Sequence, residues 1–436
     1  MIKGHIQIDL HNHKTGLTER IEKDNLVTNA AQTYINTMIG RGKAATNFMP
    51  LATTMYGGVM LFEDSLTENV NNIALPYDNF IVGFAGQTVN SDNPDMGSIN
   101  LVESGPIEDG YMNVWDFNTS QANGVISAMS LCHSNVGALY SSEASYNPYN
   151  AEVSDGSGIS TYGIADYSNN VATFINGSPQ KKLYNRYIPT KDFAISDSAG
   201  LLGPAVEETM SFPSGITNEV RNGYDGYMYH AQGYSTETVA GGTKTISVLT
   251  MDRFVLGSTS KSTITIRFDE NVSNTMFDNN KIAVSNGKIF IPFYNSSNSK
   301  LYIYVVPTFT NTDFYNGTGD EMKVEIEDQG IASNPTHFVY GNRNGSAILW
   351  ISSNVTNRYK CINIKSDGSY KNYGGTRYVL STPVYITQEG YKASTGYSAA
   401  LSFPAGYLGT ICNFSEPFEK TNTVSMKVKY TLTNVS

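Results

Sequence analysis

A mainly β protein, antiparallel, with a propeller-like repeat domain inserted in a small terminal α+β domain carrying one helix near the N-terminus: this is the fold class the sequence predicts. Three observations carry it. Both ends of the chain alternate apolar and polar residues with a period of two, the signature of half-exposed strands. The composition holds 39 Gly and 29 Tyr with only 16% charged residues, which favours strands joined by many turns. From about residue 170 onward, short strands separated by Gly/Asn turns follow one another rhythmically.

The first element is a hairpin over 2–22. Ile6, Ile8 and Leu10 share one face, His5, Gln7 and Asp9 the other, and Lys14-Thr15-Gly16 makes the turn. A helix is expected over 25–40, capped by Asp24 or Asn25 and ended by Gly40, with Leu26, Ala30 and 35–38 near helical spacing. Residues 56–62 and 80–84 read as buried strands, and 87–103, mostly turn residues, as an exposed excursion. Trp115 and Phe117 alternate with polar residues, 118–124 is a polar turn, and 125–133 alternates again, so 111–139 reads as a hairpin. A Ser/Tyr/Asn/Gly loop follows to 162. The last strand, 420–433, places Val424, Met426, Val428 and Tyr430 on one face and Ser425, Lys427 and Lys429 on the other. Its pattern matches the opening hairpin, so the two ends are expected to share one sheet.

Between the ends, strands are expected at 170–174 and 182–189, then at 227–229, 244–252 and 263–268. Others follow at 281–284, 288–294 and 300–306, at 337–340, 346–352 and 359–365, and at 384–387 and 399–403. One phrase recurs near Gly223, Asn286 and Asn344, with starts about 60 residues apart, close to the length of a propeller blade. A β-sandwich array is the alternative. The expected domains are 1–125 plus 405–436, for attachment, and 126–404, for display.

Composition also limits function. A net charge of −10 without clustered Lys and Arg argues against nucleic-acid binding; the small group Lys181, Lys182 and Arg186 reads as a solvated edge. Cys132, Cys361 and Cys412 are odd in number, widely spaced and set in apolar strand patterns, so they read as buried free thiols. Residues 1–10 lack the apolar core of a signal peptide, and no apolar run reaches membrane-spanning length, so no membrane insertion is expected.

No nucleophile elbow, P-loop, zinc-protease helix or Cys-x-x-Cys occurs, so neither a cofactor nor a catalytic residue is assigned. His5, His11 and His13 lie close enough for metal ligation but lack a completing ligand, and they read as solvated. The oxygen-rich stretch 92–95 lacks the Gly and Glu of a calcium loop. The acidic groups Glu207-Glu208, Asp269-Glu270, Asp320-Glu321 and Glu325/Glu327/Asp328 are the places where a glycan-cleaving carboxylate pair could sit, and their polar, alternating contexts read instead as wet strand faces. Tyrosines in or beside polar loops are the better candidates for contact with sugar: Tyr140, Tyr146, Tyr149, Tyr162 and Tyr167.

The run Val114-Trp115-Asp116-Phe117, followed by Thr119-Ser120-Gln121 and Asn123-Gly124, resembles a segment of tail proteins from phages and prophages of Gram-positive bacteria. The opening, 1–29 with Asn25-Leu26-Val27-Thr28-Asn29-Ala30, and the close, 408–414 with Pro417 and the final strand, resemble the same family. The resemblance implies a virion structural protein of tail-fibre, baseplate or receptor-binding type, assembled in the host cytoplasm. It would be homo-oligomeric, contact other tail or baseplate proteins, and bind a host surface polysaccharide. A glycan-degrading tail enzyme and a purely architectural collar or ring protein are the alternatives.

Overall fold

The computed structural model describes residues 2–29, 31–32, 56–70, 79–134, 136, 211–216, 220–271, 282–295, 298–317, 322–327, 330–332, 337–341, 345–352, 358–377 and 408–434, together with strand backbones at 152–187, 206–209 and 383–404. The chain divides into two compact units. One is Met1–Ser154 with Thr190–Ser196 and Ser402–Ser436; the other is Asp155–Pro189 with Asp197–Leu401.

The terminal unit is built on one ten-stranded sheet. Its path runs Ile81–Ala85, Gly58–Phe62, Gly124–Cys132, Thr410–Lys420, Thr18–Val27, Ile2–Asn12, Val424–Asn434, Gly110–Phe117 and Ser98–Ile99, with Gly105–Ile107 beside Gly110–Phe117. The two ends of this path nearly meet. Phe84 donates its amide to the Asp95 carbonyl and accepts from Gly97 through a parallel bridge to Met96, just before Ser98–Ile99. The sheet is therefore an almost closed barrel, which leaves little open edge.

Alternation decides which face turns inward. Along Ile2–Asn12, Ile2, Ile6, Ile8 and Leu10 are buried while Lys3 and His5 are exposed. Met426, Val428, Tyr430 and Leu432 do the same on the last strand. The registers put Ile8, Val428 and Trp115 in one inward row, and Ile6, Tyr430 and Asn113 in the next. Trp115 is fully buried at the centre of this core, and burying such a side chain contributes several kcal/mol. The outward row is charged: Arg20, Asp9, Lys427 and Asp116 lie side by side across four strands with alternating sign. Arg20 grips Asp9 at 2.7 and 3.3 Å, and Lys427 pairs with Glu103 and Asp116.

The expected pairing of the chain ends is present, in register over the full length of both strands, from Ile2 opposite Asn434 to Asn12 opposite Val424. Three other expectations change. The strands flanking the 118–124 turn do not form a hairpin. Gly110–Phe117 pairs with Val424–Asn434, whereas Gly124–Cys132 pairs with Gly58–Phe62 and Thr410–Lys420. Alternation identifies a strand but not its partner, and here the turn crosses the barrel. The domain boundary expected at 125/126 falls inside Gly124–Cys132, which belongs to the terminal sheet. The start of the expected helix is also strand: Thr18–Val27 carries the pairing through Val27 to Thr410. Asn29, Ala31 and Gln32 have helical backbone, and 33–50 lies outside the described residues. The α+β description of this unit is thus unsupported, and what stands is a nearly closed, barrel-like β sheet. The excursion at 87–103 holds Ser98–Ile99 and closes the sheet.

The inserted unit is a succession of antiparallel sheets. The first comprises Gly163–Ser168, Val171–Asn176, Lys182–Tyr187 and Val206–Thr209. The second comprises Arg221–Asn222, Met228–Val239, Lys244–Phe254 and Ser262–Arg267, joined in parallel by Thr312–Asp313. The third comprises Ala283–Ser285, Lys288–Asn295, Lys300–Val306 and Met322–Ile326, and the fourth His337–Gly341, Ser346–Ser352, Arg358–Lys365 and Tyr370–Arg377. Pro383–Ile386 with Lys392–Ser394 follows. The first strand of each sheet lies beside the first strand of the next. The third sheet is buried on both faces. Ile289, Ile291, Tyr304 and Val306 pack against Leu249, Ile264 and Ile266 of the second sheet; Phe290, Ile303 and Val305 pack against Leu349, Ile362 and Ile364 of the fourth. The recurring phrase of the sequence starts at the turn between first and second strands. At Asn286-Gly287 that turn has φ of 48° and 74°, the two left-handed residues of a tight hairpin.

Gly4 is one of the barrel's tight points. It lies between Asn25 and Leu432, and a Cβ there would overlap the Asn25 amide oxygen and meet the Tyr430 hydroxyl at 2.6 Å. Gly4→Ala is expected to destabilise the protein by about 1–3 kcal/mol, the usual cost of overpacking. Denaturant unfolding checks this; unchanged stability would mean that the barrel is looser than described.

Candidate functional site

The acidic groups of the sequence do not all stay apart. Asp269 and Glu270 follow Ser262–Arg267 in the second sheet, and Lys323 lies in Met322–Ile326 of the third. Lys323 Nζ is 2.7 Å from Asp269 and 3.5 Å from Glu270. The buried Tyr304 donates its hydroxyl to Asp269 at 2.6 Å, which together with burial raises the phenol's pKa far above its usual value. The Lys323 ammonium also sits 4.4 Å from the Tyr302 ring centre. Glu325, two residues on, pairs with Lys300 at 2.6 Å. Period two explains the grouping: Lys323 and Glu325 share a face, opposite Tyr304 and Tyr302. Each acid of this group faces a lysine, so the arrangement compensates charge where two sheets meet. Phe268, Phe293 and Phe314 pack around Tyr304.

A second polar centre was not legible in the sequence. Asp252, fully buried in Lys244–Phe254, accepts Gln232 Nε2 on both oxygens at 2.7 and 2.8 Å, Lys261 Nζ at 2.8 Å and Thr263 Oγ1 at 2.6 Å. Burial alone would raise its pKa, but these donors outweigh burial and hold the carboxyl below its ordinary value. His230 and Thr263 flank Asp252 in register, with His230 Nδ1 at 3.7 Å. The Thr263 hydroxyl is committed to the carboxylate, so this trio anchors three strands. No motif surrounds Asp252; its partners come from the neighbouring strands and from the loop before Ser262–Arg267.

The turn that carries the sequence resemblance forms a socket. Asn118 donates its amide to Gln121 Oε1 at 2.9 Å, Gln121 Nε2 donates to the Ser91 carbonyl at 2.7 Å, and Ala122, at φ 49°, donates its amide to the Pro94 carbonyl. Into this socket Lys420 extends from the end of Thr410–Lys420. Its buried ammonium donates to the Asn118 carbonyl at 2.8 Å and to Asn123 Oδ1 at 3.0 Å. Both acceptors are neutral, and burial lowers the Lys420 pKa to about 8.

The remaining candidates are placed as follows. Tyr140, Tyr146, Tyr149 and Tyr162 lie outside the described residues, and Tyr167 belongs to Gly163–Ser168, described by backbone alone. Glu207 and Glu208 lie in Val206–Thr209, likewise by backbone, and Asp320, Glu321 and Asp328 lie outside. His5 bonds Asp24 at 2.8 Å, His11 bonds Thr18 and His13 bonds Ser425, each at 3.0 Å, on the barrel's outer face. No group of three metal-binding side chains gathers among the described residues. Cys132 and Cys412 are buried free thiols, with burial raising the Cys412 pKa to about 11; the Cys361 side chain is outside the described residues.

Two expectations follow. Lys420 is held at a lower pKa folded than unfolded, so the unfolded chain binds its proton more tightly. Stability should therefore rise with pH between about 8 and 10.5, by up to roughly 3 kcal/mol, and Lys420→Met should lack that rise. Parallel pH profiles for the two proteins would contradict the socket. Lys323→Met should cost about 1–2 kcal/mol by leaving Asp269 and Glu270 uncompensated, and Asp269→Asn should cost less in the Lys323→Met background than alone. Additive effects in this double-mutant cycle would show that the pair is not coupled.

Compared with known proteins, the sequence matches no protein-family model and no curated protein.

Proposed function

We propose that this chain is a structural protein of a bacteriophage tail or baseplate, with the terminal barrel as its attachment part and the inserted unit as its displayed part. One observation carries the reading. Both chain ends lie in the barrel, and the insertion leaves and returns through the adjacent strands Gly124–Cys132 and Thr410–Lys420. Glu152–Ser154 and Leu401–Pro404, further along the same crossings, also pair antiparallel. A barrel built from the first and last strands, with a large unit inserted between two paired strands, suits a part that anchors by one unit and presents the other.

In this proposal the inserted unit is a propeller, its sheets the blades and its first strands the ring around the axis. The packing of the third sheet between its neighbours supports that reading. The protein would bind a host surface polysaccharide, with the tyrosine-bearing segment from Tyr140 to Tyr167 as the proposed contact, and would do so without catalysis. The acids described above favour binding over cleavage, since Asp269, Glu270 and Glu325 each face a lysine. Partners are other tail or baseplate proteins and further copies of the chain, inside a virion.

Immunogold labelling of virions with antibody to the purified protein tests the proposal. Gold confined to the tail or its tip is the expected result, together with binding of the purified protein to host cell walls. Unlabelled virions would overturn the virion assignment, and release of soluble sugar from wall polysaccharide would replace binding by hydrolysis.

A further inference from the structure

Arg253 stands near the end of Lys244–Phe254 in the second sheet, opposite Tyr229 on one side and Ser262 on the other. Its guanidinium carbon lies 4.5 Å from the centre of the Tyr227 ring and 4.6 Å from that of Phe309. Tyr227 belongs to the turn between Arg221–Asn222 and Met228–Val239, and Phe309 to the loop that leaves Lys300–Val306 of the third sheet. Connections from two neighbouring sheets thus hold one cation. All three side chains are half-buried, and Arg253 Nε is buried without a hydrogen-bond partner.

What Arg253 lacks is a carboxylate. Elsewhere in the second and third sheets Lys261 meets Asp252 at 2.8 Å, Arg267 meets Glu237 at 2.8 Å, Lys300 meets Glu325 at 2.6 Å and Lys323 meets Asp269 at 2.7 Å. Among the described residues no acid bonds Arg253. With 39 acidic residues against 29 basic ones, an arginine left without an acid is an exception in this chain. Asp225, close by, accepts the Tyr229 hydroxyl at 2.7 Å and the Tyr227 amide at 3.2 Å. Burial first, and then Asp225, hold the Tyr229 phenol well above its ordinary pKa against the pull of Arg253, so the phenol stays neutral. The rings therefore confine the guanidinium without cancelling its charge. A side chain already confined loses less freedom when a ligand arrives.

We propose that Arg253, set against the Tyr227 and Phe309 rings, binds the oxyanion of an acidic sugar unit, a carboxylate or a phosphate. A guanidinium answers either group with a fork of charge-assisted hydrogen bonds. The two half-exposed rings beside it offer apolar surface to the C–H face of the sugar. Charge selects the ligand class. A chain of net charge −10 repels polyanions as a whole, so an acidic glycan needs a local cation that no acid of the protein has claimed. A neutral sugar would leave that cation unanswered. The ligand class rests on the polysaccharide reading above, whereas the position of the site rests on its geometry alone. This contact lies in the second and third sheets and is additional to the tyrosine-bearing segment.

Affinity electrophoresis of the full chain in native gels containing polygalacturonate, poly(glycerol phosphate) or neutral dextran tests this, beside binding to host cell walls. At least one acidic polymer should retard the wild type and dextran should not; which polymer acts separates carboxylate from phosphate. Arg253→Gln should weaken the retardation roughly tenfold or more, the usual loss for a hydrogen bond to a charged group. Lys14→Gln, which removes the same charge from an exposed turn of the barrel, should leave it unchanged. Should Arg253→Gln fail to fold, Arg253→Lys, which keeps the charge but not the fork, should still bind several-fold more weakly than wild type. No retardation by either acidic polymer, or equal retardation of Arg253→Gln and wild type, would overturn the site. Wall binding that Arg253→Gln keeps in full would overturn the site and leave the polysaccharide reading standing. Binding to an acidic polymer without binding to walls would uphold the site and remove the host-wall reading.

Discussion

The pairing of the first strand with the last is the constraint on which the rest of the structure depends. Ile2–Asn12 and Val424–Asn434 lie at opposite ends of the sequence yet match along their full length, and each needs the other to finish one inward row of side chains. Thr18–Val27 attaches on one side of the pair and Gly110–Phe117 on the other, bringing Trp115 into the core. Without the last strand the path of the sheet breaks between Ile2–Asn12 and Gly110–Phe117, and the barrel cannot close. Closing a loop costs only about 0.6 kcal/mol more for each doubling of its length, so a long insertion between adjacent strands is physically inexpensive.

Charge and polarity follow from the same rolled sheet. An almost closed barrel separates one apolar face from one wet face, and the wet face here is organised, with Arg20, Asp9, Lys427 and Asp116 alternating in sign across the strands. Surface pairs of this kind add little stability individually, but they favour one register over its neighbours, because a one-residue slip would turn the whole row inward. The exceptions are inside. Lys420 holds the 118–124 turn through two neutral acceptors, and Asp252 ties three strands through four donor contacts.

Much of the architecture was legible in the residues. Ile6, Ile8, Leu10, Val428 and Tyr430 announce their face by alternation alone, and Asn286-Gly287 announces its hairpin. Partner choice was not legible. The strands on either side of the 118–124 turn look like a hairpin because a glycine-containing turn joins two alternating runs, yet a turn fixed by Lys420, Ser91 and Pro94 carries the chain across the barrel instead. Residues 25–27 illustrate the other difficulty: Asn25, Leu26 and Val27 suit a helix start locally, but pairing with Gly4 and Thr410 extends the strand. The site chemistry was legible only as composition. Asp269, Glu270 and Glu325 stood out as acids, while their partners Lys323, Tyr304 and Lys300 come from another part of the sheet order, which spacing along the chain does not reveal. Asp252 gave no signal, because its four donor contacts arise from two other strands and a loop.

Hydrogen exchange of the backbone amides under native conditions tests the central claim most directly. Chain ends ordinarily fray and exchange first. If the first and last strands close the barrel, the inter-strand amides of 6–10 and 426–430 should rank among the slowest in the molecule and exchange together with those of 113–117. Rapid exchange at both termini, with protection kept at 113–117 and 126–131, would contradict the account.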